Sequence, residues 1–180
     1  VTGCGVRGAG LFRQVDVPPR AFTFLHGRSW AVPMVSGVSY VSDGLSLSVF
    51  AAVFVALFVA HQVGDHWVQT QGQADRKGLP GWPGRLACAA HVGTYTLVAA
   101  AAVVCLPLVF GVALPAGQTV AGLVVSGLSH YWIDRRRPLR RLADLLGKSS
   151  VWLERGGGLY ALDQSAHMLF LFVAALVMAS

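Results

Sequence analysis

Charged side chains are scarce in this chain, at 12% of its 180 residues against roughly 25% in ordinary soluble domains. That scarcity excludes a soluble globule, which would have too little polar surface to stay in water. Cysteine is scarcer still. Cys4, Cys88 and Cys105 are odd in number, and two of them fall in one apolar segment at no metal-ligand spacing, which excludes a disulfide framework and a thiolate site. The first forty residues lack an apolar core followed by a small-residue cleavage site, so no signal peptide is recognisable. They also lack a methionine before Met34. We therefore expect residues 1–44 to be a flexible tail or a leader from a start codon assigned too far upstream, with His26 playing no part in function.

What is present is apolar, with hydrophobic residues making up 54% of the chain. Several runs approach the ~20 residues that cross the hydrocarbon of a bilayer. Four spans are expected over 45–180, giving an all-α integral membrane bundle. The first runs from about Leu45 to Gln69 and the second from about Leu86 to Leu114, with Pro107 and Gly111 able to bend it or end it early. The third runs from about Ala116 to Asp134 and is rich in the small residues that close helix packing in lipid prefers. The fourth runs from about Leu159 to Ala179.

The formal charge of +6 does not point to nucleic acid, because seven of the fourteen basic residues lie between Arg135 and Arg155, beside apolar segments. Membrane topology and anionic lipid headgroups account for that placement. The connections after spans one and three carry Arg76, Lys77 and Arg85 and this second, larger basic group, while the connection between spans two and three carries no basic residue. Both basic connections are expected on the cytoplasmic side of a bacterial inner membrane. The arginines of the leader (Arg7, Arg13, Arg20 and Arg28) run against that orientation only if the leader is translated. Leu139, Leu142, Leu145 and Leu146 recur at helical spacing among Arg140, Arg141 and Lys148, which predicts an interfacial amphipathic helix between spans three and four. The segment Gly72 to Gly84, with four glycines and two prolines, is expected to be irregular. Trp67, Trp82, Tyr131, Trp132 and Trp152 are expected at the inner interface.

Against this apolar background stand three pairs of polar residues. His61 and Asp65 end span one, His130 and Asp134 end span three, and Asp163 and His167 begin span four. Each pair is four residues apart, which sets both side chains on one helix face. Spans one and three run toward the basic loops and read His then Asp. Span four runs away from them and reads Asp then His, so in all three the carboxylate is nearer the basic end and the imidazole about 6 Å deeper. His91, early in span two, falls at a similar depth.

Snorkelling explains any one such pair, but three with mirrored order point to a shared site. Carboxylates and neutral imidazoles are ligands of zinc, and of manganese or iron. The metal-ligand candidates are therefore His61, Asp65, His91, His130, Asp134, Asp163 and His167. One of Asp65, Asp134 and Asp163 is left as general base, some of the seven could instead orient the ligands, and two ions would use them all. Gln69, Gln164 and Lys77 are expected to bind substrate, while His66, about 100° around the helix from Asp65, is set outside the site. The expected activity is hydrolysis of a phosphate-containing lipid or similar amphiphile, with divalent-cation or proton transport and a purely structural role as alternatives.

The motifs His61-Gln-Val-Gly64-Asp65 with Gln69-Thr70, His91 with Tyr95, Ser129-His130-Tyr-Trp-Ile-Asp134 and Leu162-Asp163-Gln164-Ser-Ala-His167 resemble a bacterial membrane family, domain of unknown function 3307. The resemblance covers about Leu45 to Ala179 and implies the fold and the site more than a reaction. In pattern the chain is more distantly similar to inner-membrane metal-dependent hydrolases. The arginine-bearing leader departs from the family pattern.

Overall fold

Apolar segments fold into helices here because a helix satisfies each backbone N–H and C=O within its own segment, as a membrane requires. The computed structural model describes residues 40–180, with side chains from residue 47. Residues 1–39, with His26 and the four leader arginines, lie outside the described residues. Regular structure is helical throughout: α1 (Tyr40–Val63), a π-helical turn (Gly64–Val68), α2 (Gln71–Arg76), α3 (Gly81–Phe110), α4 (Ala116–Asp134), α5 (Arg137–Leu145), α6 (Ser150–Arg155) and α7 (Gly158–Ala179). No strand occurs among the described residues.

Three helical stretches are long and apolar enough to cross a membrane: Leu47–Val68, Gly81–Phe110 and Gly158–Ala179. The expected third span is one helix with the expected bounds, α4, but it is not among the three. Gly117, Gln118, Thr119, Gly122, Ser126, Gly127 and Ser129 leave it less apolar than its neighbours. The second span was expected to reach Leu114 and instead stops at Phe110. Gly111 takes the left-handed conformation (φ 65°) and donates its N–H to the Pro107 carbonyl at 3.1 Å, closing the helix.

The segment after span one is more ordered than its glycines suggested. Thr70 caps α2: its hydroxyl accepts from the Gln73 N–H at 3.3 Å, and the Gln73 side chain accepts from the Thr70 N–H at 2.9 Å. This reciprocal box is what the Thr-x-x-Gln spacing encodes, and the expectation of an irregular loop weighed the later glycines and overlooked it. Arg135 then pins the stretch between α2 and α3 by donating to the carbonyls of Lys77 at 2.5 Å and Leu79 at 2.6 Å.

At the end of the bundle away from the basic loops, Val53, Leu57, Val103, Leu171, Ala174, Ala175 and Met178 close the core of α1, α3 and α7. Phe172 packs edge-on against Phe50 with ring centroids 5.2 Å apart. α4 approaches α7 closely because Gly122 has no side chain there: a Cβ would run into Met178 and come within 2.9 Å of the Ala174 carbonyl oxygen. In α5, Leu139 is buried while Leu142, Leu145 and Leu146 are exposed. They form an outward apolar face beside Arg140 and Arg141, and Arg140 ties α5 to α6 through Glu154 at 2.6 Å.

Gly122→Val is expected to lower stability by about 1–3 kcal/mol, the usual cost of overpacking, read as the thermal unfolding midpoint in detergent. Gly93→Ala, whose added Cβ meets nothing within 4 Å, is expected to leave the midpoint unchanged or raise it slightly.

Candidate metal centre

The helix ends bring the polar pairs together because each would otherwise face apolar side chains or lipid. His61, His91, His130, Asp134 and His167 are buried and Asp65 is nearly so. Three atoms form a tight triangle. His91 Nε2 lies 3.0 Å from His130 Nε2, and Asp65 Oδ1 lies 3.4 Å from the first and 3.3 Å from the second. Asp134 Oδ2 approaches the same two nitrogens at 3.3 and 3.4 Å. Ligand atoms around a tetrahedral zinc, with bonds of about 2.0–2.1 Å, stand about 3.3–3.4 Å apart; the two Asp65 edges have that length, and the His91–His130 edge, at 3.0 Å, is a hydrogen-bond contact that an ion would open slightly.

A second set overlaps the first. His61, His130 and His167 each bring a ring nitrogen within 4.8 Å of the others, and their ring centroids are 4.4 to 5.4 Å apart. His130 is common to both sets. Its ring is held by Tyr95, stacked 4.0 Å away at an interplanar angle of 23°, and the Tyr95 hydroxyl is fixed by Ser126 at 2.6 Å. Gly64 makes room for that tyrosine, because a Cβ there would stand 3.0 Å from its ring.

The π-helical turn starts at this glycine, with the Gln69 N–H reaching back to the Gly64 carbonyl at 2.9 Å. Such turns insert one extra residue and often mark functional positions. Here the turn keeps Asp65 3.5 Å from His61 Nε2 while bringing it onto His91 and His130 of the neighbouring helices.

All seven expected ligands join one network, but not equally. Asp163 stands at its edge: it contacts His167 Nδ1 at 3.3 Å and is partly open to a cavity of about 250 Å³. Asp65, His66, Gln69, Lys77, Arg136 and Gln164 also line that cavity. His66 is exposed on its helix and reaches the cavity wall, not the metal-ligand cluster. Lys77 departs from its expected place. Instead of standing free for substrate, its ammonium is buried against Asp134 Oδ1 at 2.8 Å, the one carboxylate oxygen there that His91 and His130 do not approach. Tyr95 and Ser126 carried a weak signal at the sequence level, a tyrosine one turn after His91 and a small residue one turn before His130. Arg135 carried none that separated it from its basic neighbours. Cys88 is buried with its thiol 3.7 Å from the Tyr131 carbonyl, and Cys105 faces outward on α3.

Among the described residues eight buried side-chain atoms make no hydrogen bond, and seven of them belong to this cluster: His61 Nδ1 and Nε2, Asp65 Oδ1, His91 Nδ1, His130 Nδ1, Asp134 Oδ2 and His167 Nε2. Buried polar atoms are nearly always partnered, and a group of orphans calls for an ion or water. The donor set of imidazole and carboxylate suits a divalent cation.

A family model described as "Protein of unknown function (DUF3307)" matches residues 53–180. The chain belongs to this family. Neither a search of curated proteins nor one of solved structures returned a match. The matched region of this DUF3307 protein contains every residue of the cluster, from His61 to His167.

Removing one partner of a buried ion pair leaves the other charge uncompensated, at a cost of about 3–5 kcal/mol. In chelator-treated protein Lys77→Met is therefore expected to destabilise strongly, measured by thermal unfolding, and Lys77→Met with Asp134→Asn to recover much of the loss. Equal and additive losses would show that the pair is not coupled.

Proposed function

We propose that this protein is a four-span bacterial inner-membrane metalloenzyme. In this reading its His/Asp centre holds a divalent metal and hydrolyses a phosphate ester on a lipid or similar amphiphile at the cytoplasmic leaflet. One observation carries the proposal: the Asp65–His91–His130 triangle, two of whose edges have ligand length, sits among buried polar atoms that lack hydrogen bonds. Zinc is the first choice, with manganese or iron as alternatives. The two ligand sets share His130, so it would serve an ion in each only as the deprotonated ring, and otherwise one set would be filled at a time.

The orientation follows from the basic connections, Arg76, Lys77 and Arg85 after α1 and the arginine group after α4, since cytoplasmic loops are enriched in such residues. α4 completes the fourth span by packing its small residues on α7. α5 and α6 lie on the inner leaflet, with exposed Leu142, Leu145, Leu146 and Trp152 toward lipid and the arginines toward anionic headgroups.

A bound divalent ion supplies Lewis acidity toward a phosphoryl oxygen and lowers the pKa of water. The chain's residues do the rest. Asp163, held by His167 and open to the cavity, accepts the proton of the attacking water. The water oxygen bonds to phosphorus as the P–O ester bond breaks, the departing alcohol oxygen takes up a proton from solvent and Asp163 returns its own to solvent, so the products are an alcohol and a phosphate one ester shorter. Asp65 and Asp134 would hold the ion, and Lys77 keeps Asp134 in place. Gln69 and Gln164, on the cavity wall, position substrate oxygens.

Transport is the weaker reading because the polar groups do not continue through the bundle: beyond Tyr95 the core is Val53, Leu57, Ala99, Val103 and Leu171. A purely structural network is weaker too, because it would satisfy its own buried nitrogens.

Protein purified without chelator is expected to carry roughly one or two equivalents of divalent metal by mass spectrometry. His130→Ala, which breaks both ligand sets, is expected to carry none. Metal-free wild type, or metal content unchanged in the variant, would sink the proposal.

A further inference from the structure

We propose that the cavity beside the centre is an oxyanion site and that Arg136, with the Gln69 amide, holds the phosphate of an amphiphilic substrate there. This rests on the hydrolytic reading above for its choice of phosphate among oxyanions. Two of the cations beside the cavity are already engaged. Lys77 is paired with Asp134, and Arg135 donates to the carbonyls of Lys77 and Leu79. Arg136 lines the cavity, and its guanidinium makes no hydrogen bond or ion pair among the described residues.

Its backbone is held in an unusual place. Arg136 has φ 57° and ψ −37°, and it is the one non-glycine residue with positive φ among the described residues. A non-glycine residue there costs on the order of 1–3 kcal/mol, and such residues cluster at ligand clamps. The conformation is fixed on both sides: the Arg136 N–H donates to the Ile133 carbonyl at 2.9 Å, and the Arg136 carbonyl accepts from the Arg140 N–H at 2.9 Å. The stem lies against Gly78, where an added Cβ would come within 3.1 Å of Arg136 Cδ. The glycine leaves the arginine its path toward the cavity.

A second donor has no partner of its own. Gln69 lines the same cavity, and its side-chain nitrogen is buried without a hydrogen bond. A guanidinium fork and an amide N–H make a strong oxyanion clamp. Asp65 and Asp163 also border the cavity. They keep an anion near Arg136 unless a metal offsets the charge of Asp65. At about 250 Å³ the space is below the roughly 300 Å³ at which pockets begin to enclose a whole drug-sized ligand, so it admits a headgroup and leaves the chain outside. Leu159 and the exposed Tyr160, with Ala74 and Leu139, supply its apolar lining, against which the start of an acyl chain would lie.

The test uses the full chain in dodecyl maltoside, titrated calorimetrically with dodecyl phosphate, inorganic phosphate and dodecyltrimethylammonium, in metal-loaded and chelator-treated form. Wild type is expected to bind dodecyl phosphate at least about tenfold more tightly than inorganic phosphate, and not to bind the ammonium. Arg136→Gln and Arg136→Gly, the latter free of backbone strain, are each expected to weaken dodecyl phosphate about tenfold or more, in line with loss of a charge-assisted hydrogen bond. Both should keep wild-type metal content. Arg136→Lys should recover only part, because it lacks the fork.

Dodecyl phosphate binding within twofold of wild type in both Arg136→Gln and Arg136→Gly overturns the proposal, as does binding of the ammonium in place of the phosphate. Equal affinity for inorganic phosphate overturns the amphiphile and leaves free phosphate as the ligand. Protein that takes up no divalent metal at all, yet binds dodecyl phosphate through Arg136, overturns the hydrolytic reading alone. Metal-loaded protein indifferent to Arg136 overturns this one alone.

Discussion

The structure depends on one constraint: ionisable side chains carried on apolar helices have to face each other. A carboxylate at the middle of a membrane helix costs roughly 2.5–3.5 kcal/mol on insertion scales, and less toward the interface. Four helices here each bring at least one such group to the same end. Once His61, His91, His130 and His167 face inward, the helix rotations are set. The apolar faces of α1, α3 and α7 then meet below them around Leu57, Val103 and Leu171. The polar centre thus acts as the register mark of the bundle, and the small residues of α4 let it close.

The basic end is built as a shell around that centre. Arg135 holds the stretch between α2 and α3 by two carbonyls, and that stretch delivers Lys77 to Asp134. The α2 cap at Thr70 and the π-helical turn before it set where the stretch begins. Positive charge in these loops therefore has two fates. Some of it stays on the surface of the loops, and some is consumed inside the protein, where it offsets the carboxylates of the centre.

How much of this was legible beforehand follows from which interactions are local. The His/Asp pairs at spacing four could be read because one helix turn decides which face a residue shares, and the reversed order in α7 gave their common depth. The three long apolar helices could be read because length and composition alone suffice. Lys77 was misplaced because its partner lies 57 positions away, on another helix, and nothing local separates a buried lysine from a loop lysine. Arg136 was passed over for the same reason, since five arginines in a row of seven residues look alike until the chain turns between the second and the third. The capping box at Thr70 was legible and was outweighed by the glycines that follow it. The π-helical turn was not, because it follows from the close approach of Gly64 to Tyr95 on α3.

The unsatisfied atoms of the centre tie stability to whatever binds there. A network of four imidazoles and three carboxylates has more acceptors than protons to share, so hydrogen bonds alone leave nitrogens such as His61 Nδ1 and His167 Nε2 without partners. In a low-dielectric core each orphan is costly. A cation removes that cost by accepting lone pairs from several of them together, which turns binding free energy into folding free energy. Lys77 does part of this for Asp134 from within the chain, since its ammonium engages one carboxylate oxygen and leaves the other facing His91 and His130. The fold is in this sense completed at Asp134 by its own lysine and left incomplete at the imidazoles. That division separates the carboxylate that the chain itself neutralises from the imidazoles that it leaves unpartnered.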